Sequence, residues 1–274
     1  MIIVKTTKEF NQARKALDGT IGFVPTMGAL HEGHISLIKK ARTDNDYLIV
    51  SIFVNPTQFL EGEDLDDYPH KDEADIKICE LSKVDILFVP TIDQMYKNDE
   101  LSIAAPVIRG YVLEGAKRPG HFDGMLQIVM KLLNLVAANK AYFGKKDAQQ
   151  LSLIMQMVRN YYIQTEIIPC DIIRDERGLA LSSRNMHMNP EEKSRALCLS
   201  RALRTATDMV TSGNLNSLSI KEQMLGILQD ADRVEYVAIV NREFQETEEI
   251  EIGNTIVLVA AWVGKPRLID NVWI

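Results

Sequence analysis

The sequence predicts an α/β fold, a doubly wound parallel sheet followed by a smaller C-terminal α+β domain. Three observations carry this. Strand-length apolar runs alternate with helical-period segments through the first two-thirds of the chain. One of those runs, Tyr47 to Val54, is nearly continuous, the mark of a strand covered on both faces. After about residue 176 the texture changes to two helices and then three strand-like runs. The expected domains are therefore residues 1–176 and 177–274.

The elements follow in order. Thr6-x-x-Glu9 is a capping-box pattern, with Phe10, Ala13 and Leu17 at helical spacing and Gly19 as a stop. "IGFV" (Ile21 to Val24) is a short buried strand, and "ISLIKKAR" (Ile35 to Arg42) returns to helical period. "YLIVSIFV" (Tyr47 to Val54) is a β-branched buried strand; "EADIKICEL" is helical, and "VDILFV" (Val84 to Val89) is a third strand. Then come a helix in "FDGMLQIVMKLLNLVAA", a strand at Ala141 to Phe143, a helix in "AQQLSLIMQMVRN" and a strand in "YIQTEIIP". Asn189-Pro190 opens a long amphipathic helix. "SIKEQMLGILQD" is a second, and "RVEYVAIV", "NTIVLVAAWV" and "RLIDNVWI" are the closing strands. Right-handed βαβ units set the loops after the strand C-termini on one edge, where ligands bind in such sheets.

The bulk numbers narrow the class. With 274 residues and 46% hydrophobic content the chain can build a sizeable core. A net charge of -7 argues against a nucleic-acid binder relying on a positive field, while leaving room for a small anionic substrate in a local basic pocket. Cys79, Cys170 and Cys198 form no C-x-x-C pair, which fits a reducing compartment. The N-terminus does not read as a signal peptide, and no apolar run approaches the roughly 18 residues a membrane helix needs. The expectation is a cytoplasmic protein with no membrane and no nucleic-acid partner.

"VPTMGALHEGH" (Val24 to His34) is the first stretch with chemistry in it. Zinc proteases use H-E-x-x-H, which sets two ligands at i and i+4; here the spacing is one short, and His70, His121 and His187 stand in no ligand spacing. A strand-to-helix turn with histidine caps is one reading and stays open. The other is a phosphate cradle: Gly28 and Gly33 let the backbone approach a ligand, and a helix beginning near His34 offers N–H groups and a positive dipole end. The imidazoles of His31 and His34 would donate hydrogen bonds to phosphate oxygens. H-x-G-H in this position resembles the signature of the HIGH superfamily of nucleotidylyltransferases and class I tRNA synthetases, which implies a Rossmann-like sheet and attack on the ATP α-phosphate.

Three further strand-end stretches bear polar groups. In "VNPTQF", Asn55-Pro56 is a turn and Gln58 is an uncharged double hydrogen-bonder. In "FGKKDAQQL", Lys145 and Lys146 would meet phosphate, and Asp147 would cap a helix or hold a ribose hydroxyl; a solvated surface explains the same charges. In "GLALSSRN", Ser182, Ser183 and Arg184 supply hydroxyls and a guanidinium fork. The acidic run Glu61 to Asp75 would hold Mg²⁺ or simply be hydrated, and Arg118 and His121 sit in a Gly/Pro-rich loop able to close over a pocket.

Together "PTMGALHEGH", "VNPTQF", "EDLDDYP", "LEGAKRPGHF", "FGKKDAQQL" and "GLALSSRN", in that order, resemble the pantothenate synthetase (pantoate–β-alanine ligase) family over about residues 21 to 190. The resemblance implies ATP-dependent condensation of (R)-pantoate with β-alanine through a pantoyl adenylate, releasing AMP and pyrophosphate. It implies an ATP site at Met27, Gly28, Ala29, Leu30, His31, Glu32, Gly33 and His34, with His34 as proton donor. Further ATP contacts are implied at Gly144, Lys145, Lys146, Asp147, Ile173, Leu181, Ser182, Ser183 and Arg184. His31, His34, Lys146 and Arg184 would be catalytic, Gln58, Gln150 and Asn55 would hold pantoate or β-alanine, and Asp75 would serve Mg²⁺. A homodimer and a C-terminal lid are implied as well. The sequence departs from the family at Lys145, where glutamate is common, and at Ala148, where an aromatic is common.

Overall fold

The computed structural model describes residues 1–60, 62, 65, 68–69 and 71–274, the side chain of His187 excepted. Backbone contacts divide them into two compact units, Met1–Gly144 with Leu153–Cys170, and Lys145–Ser152 with Asp171–Ile274. The expected boundary after residue 176 keeps Lys145–Ser152 in the first domain, whereas the contacts group that segment with the second unit.

The first unit is a sheet of six parallel strands. In chain order they are β1 (Ile2–Val4), β2 (Ile21–Thr26), β3 (Tyr47–Ile52), β4 (Ile86–Phe88), β5 (Lys140–Gly144) and β6 (Glu166–Cys170), arranged in space as β1-β4-β3-β2-β5-β6. The connecting helices are α1 (Thr7–Lys15), α2 (Glu32–Asp44), α3 (Asp72–Leu81), the short α4 (Ile92–Met95) and α5 (Leu113–Lys117), α6 (His121–Val136) and α7 (Ala148–Asn160). Val24, Ile38, Leu48, Val50, Leu87 and Tyr142 belong to one buried cluster between sheet and helices. The Thr6 hydroxyl accepts from the Glu9 N–H at 3.1 Å and the Glu9 carboxylate accepts from the Thr6 N–H at 3.0 Å, so α1 starts on the capping box the sequence displays. Its Phe10 is fully buried, 4.7 Å from the Phe88 ring between centroids.

The sequence reading missed β1. Three residues are too few for a period to show, and Ile2 and Ile3 are exposed on this edge strand. The reading also began α2 near His34, where the apolar periodicity starts; the helix in fact begins at Glu32, with His31 as its N-cap.

The strand order reverses between β2 and β5, the point where such sheets open a ligand crevice at their carboxyl ends. The register shows the opening. β2 pairs with β3 over six residues, Ile21 to Thr26, but with β5 only at Gly22 and Phe23. Beyond Phe23 the two strands part, and Pro25, which brings no N–H to a ladder, falls in the parted stretch.

The second unit is an antiparallel sheet of β7 (Arg233–Asn241), β8 (Thr255–Trp262) and β9 (Arg267–Trp273), in that spatial order, with α8 (Pro190–Thr211) and α9 (Ser217–Ile227). Leu199, Leu203, Ile220, Met224, Val257 and Val259 share its core. Asn189 caps α8, its side chain accepting from the Glu192 N–H at 2.9 Å while Glu192 accepts from the Asn189 N–H at 2.8 Å. Pro190 follows at the first helical position, where a missing N–H leaves no bond unmade.

Candidate active site

The H-x-G-H turn leaves β2 at the parted edge of the sheet. His31 caps α2 through Nδ1, which accepts from the Gly33 N–H at 3.1 Å, and His34 Nδ1 accepts from the His31 N–H at 3.4 Å. The two rings lie 4.2 Å apart between centroids. The capping reading and the phosphate reading therefore describe different nitrogens of the same rings. With Nδ1 accepting, a neutral imidazole carries its proton on Nε2. Gly33 is needed for this arrangement, because a Cβ there would stand 2.8 Å from His31 Cε1. Glu32 is exposed on the first turn of α2.

Asp75 lies beneath the turn. It is 1% exposed, and its two oxygens accept one N–H each, from Ala29 and from Leu30, both at 2.8 Å. Burial pushes its carboxyl above the usual range, and the two amides act against that. Asp75 thus meets backbone through both oxygens, at the position where the family resemblance implies a role toward Mg²⁺. Most of that run, including Glu61, Glu63, Asp64, Asp66 and Asp67, lies outside the described residues, as does His70. Among the described residues no group of three or more His, Cys, Asp or Glu side chains could hold a metal ion. Ala29 sits in the left-handed region at φ 50°, a conformation that the two bonds to Asp75 help to hold.

Gln58 and Asn55 belong to a connected set. Gln58 donates through Nε2 to Met27 Sδ at 2.9 Å, and its Oε1 accepts from Asn55 Nδ2 at 3.2 Å. Asn55, 1% exposed, also donates to the Gly124 carbonyl at 3.1 Å and accepts from the Tyr96 hydroxyl at 2.7 Å. The Arg118–His121 loop braces the same residue from its backbone side. The Gln58 carbonyl accepts from His121 Nδ1 at 2.6 Å, which leaves His121 Nε2 to accept from Arg118 at 3.1 Å. Gly124 must lack a side chain, since a Cβ would fall 2.1 Å from the Thr57 carbonyl oxygen and 2.8 Å from the Gln58 nitrogen. Gly124→Ala is expected to lower stability by about 1–3 kcal/mol as an overpacked contact. Thermal unfolding measures it, and an unchanged midpoint would contradict the close approach.

The Lys145–Lys146 loop and the Ile173–Arg184 segment both belong to the second unit. Gly144 ends β5 in the first. Lys145 is tied to Asp171 at 2.6 Å and lies over the Trp273 ring at 5.8 Å; the Lys146 ammonium is 4.0 Å from Asp147. Asp147 is mostly exposed, and Gln150 is half-buried in the first turn of α7. The Ile173 carbonyl accepts from the Leu181 N–H at 3.0 Å, which places Ile173 opposite the start of Leu181–Arg184. Ser182 accepts from the Arg184 N–H at 3.3 Å and so caps the short 3-10 turn Ser183–His187. All three cysteines are buried and none is in a disulfide; burial pushes the Cys79 thiol up to about 12 and the Cys198 thiol to about 11, so neither supplies a thiolate at neutral pH.

Sequence reasoning did not single out Tyr96, Asp270 or Asn271. Each acts by a bond across a long sequence separation, and no local pattern marks any of them.

The whole chain is similar to known proteins. The family model for pantoate-beta-alanine ligase matches residues 2–273. The pantothenate synthetases of Aliarcobacter butzleri and Sulfurimonas denitrificans are each 54% identical over 274 residues, covering all of both chains. Among solved structures, the pantothenate synthetase of Thermus thermophilus superposes with a TM-score of 0.94 at 37% identity, covering 99% of each chain. The pantoate-beta-alanine ligase of Francisella tularensis, solved with beta-gamma ATP and beta-alanine, gives 0.83 at 39% identity, covering 100% of this chain and 97% of that one.

Proposed function

The chain belongs to the pantoate-beta-alanine ligase family, and from that premise we propose how its residues perform the ATP-dependent condensation of pantoate with β-alanine. Joining a carboxylate to an amine in water is uphill, so the acid is activated first. A pantoate carboxylate oxygen attacks the ATP α-phosphorus, the bond to the bridging oxygen breaks, and pyrophosphate leaves. The β-alanine amine then attacks the acyl carbon of the adenylate, loses a proton, and AMP departs with the electron pair of the broken acyl–oxygen bond.

The observation that carries this reading is the paired histidine cap. Two Nδ1 atoms fixed on backbone N–H groups orient two Nε2–H donors at the N-terminus of a 13-residue helix, where negative charge is stabilised. His31 and His34 take the developing charge at the α-phosphate, and Lys146 and Arg184 serve the same end. Met27 to Leu30, Glu32 and Gly33 line the nucleotide, as do Gly144, Lys145, Asp147, Ile173, Leu181, Ser182 and Ser183. Gln58 and Gln150 bind pantoate or β-alanine through uncharged hydrogen bonds, which orient the acid without opposing its attack on an anion, and Asn55 serves that site by holding Gln58. Mg²⁺ would enter with the ATP co-substrate and would shield phosphate charge. The reading also includes a cytoplasmic homodimer and a C-terminal lid. Among the described residues no helix is long and apolar enough to cross a membrane.

The test isolates the first half-reaction. Protein with ATP, Mg²⁺ and pantoate but no β-alanine should exchange labelled pyrophosphate into ATP, and only when pantoate is present. No exchange in a preparation that still makes product would sink the adenylate. Pyrophosphate exchange driven instead by a phosphorylated acceptor would favour a nucleotidylyltransferase.

A further inference from the structure

β9 carries two adjacent buried polar residues, Asp270 and Asn271, at 3% and 2% exposure. Neighbours in a strand point to opposite faces, so the pair can serve two different segments at once. Asn271 donates from one amide nitrogen to two successive carbonyls, Lys145 at 3.0 Å and Lys146 at 2.8 Å, and its oxygen accepts from Trp273 Nε1 at 2.9 Å. Those three bonds decide which end of the amide is nitrogen. Asp270 takes the Arg174 guanidinium through two bonds, at 2.6 and 2.9 Å, and Arg174 also donates to the Gly178 carbonyl at 3.1 Å. Arg174 follows Ile173 and precedes the Leu181–Arg184 stretch that pairs with it.

We propose that Asp270 and Asn271 are the positioning residues of the nucleotide loops, Asn271 for Lys146 and Asp270 for the Ile173–Arg184 segment. This rests on the reading that those loops touch ATP. The physical need is plain for Lys146. A lysine ammonium is a point charge on a flexible stem, so its placement depends on how firmly its backbone is held. Lys145 is already drawn aside to Asp171, and the Asn271 amide fixes the two carbonyls that flank the Lys146 Cα. Asp270 contributes the more strongly bound half, a charge-assisted bidentate pair with a nearly inaccessible carboxylate.

The experiment is a double-mutant cycle on the Mg·ATP dissociation constant of the full chain, read by calorimetry. Asn271→Ala should weaken ATP about 10-fold, as loss of a buried amide holding two acceptors. The loss should vanish in a Lys146→Ala background, with KM for β-alanine unmoved in the single variant. Asp270→Asn, acting through the other loop, should instead add to Lys146→Ala. A merely structural role would lower the unfolding midpoint and leave the folded protein's ATP affinity alone. If Asn271→Ala does not fold, Trp273→Phe removes the indole N–H that holds the Asn271 oxygen while keeping an aromatic ring beside Lys145, and about 3-fold weaker ATP is expected. Wild-type affinity in these variants, or a loss that adds to Lys146→Ala in full, overturns the Asn271 role. Wild-type affinity in Lys146→Ala alone overturns the Lys146 reading and this proposal with it.

Discussion

His34→Ala should lower turnover by about 10²–10⁴-fold, the usual range for a group that assists proton placement in the transition state. Pantoate-dependent pyrophosphate exchange should fall with it, because the loss belongs to adenylate formation. The fold should scarcely notice. His34 Nδ1 receives the His31 N–H at 3.4 Å, a long bond at the edge of what counts as one, and the stronger cap bond is His31 to Gly33 at 3.1 Å. His31→Asn makes the matching control, since asparagine is among the best N-caps and has no imidazole. It should keep the helix and lose activity. Near-wild-type turnover in His34→Ala would reduce His34 to a cap, and the same result in His31→Asn would do so for His31.

Asp75→Asn should lower kcat/KM by about 10–10²-fold, from the loss of one charge-assisted bond and an N–H set against an N–H. The carboxylate is suited to this place because it offers two acceptors and no donor, facing two consecutive amides. An asparagine offers one of each. The Mg²⁺ concentration giving half-maximal rate should stay where it is. A large rise in that concentration would restore Asp75 as a metal ligand and overturn its role under the turn.

How much of this was legible in the sequence depended on the range of the interaction. Asn189-Pro190 and Thr6-x-x-Glu9 announce helix starts because the bonds they make close within three residues. The alternation of β-branched runs and helical periods yields the parallel sheet, and H-x-G-H at its first turn points to nucleotide chemistry. The start of α2 was misplaced because histidine is not among the usual N-caps, so only the later apolar period spoke. Asp75 was legible as acidic but not as a partner of Ala29 and Leu30, 46 and 45 positions away. Tyr96 reaches Asn55 across 41 positions, and Asn271 reaches Lys146 across 125. Contacts of that length are set by the topology of the whole chain, and no window of residues contains them.

The first strand has a practical bearing on how the protein is handled. β1 is three residues long and, among the described residues, pairs only with β4, whose Ile86, Leu87 and Phe88 are fully buried. It works as a selvedge on the sheet. Trimming the chain by its first four residues would bare an apolar strand with unpaired amides, the form that recruits strands from other molecules. A proteolytic nick near Lys5 should announce itself first as turbidity.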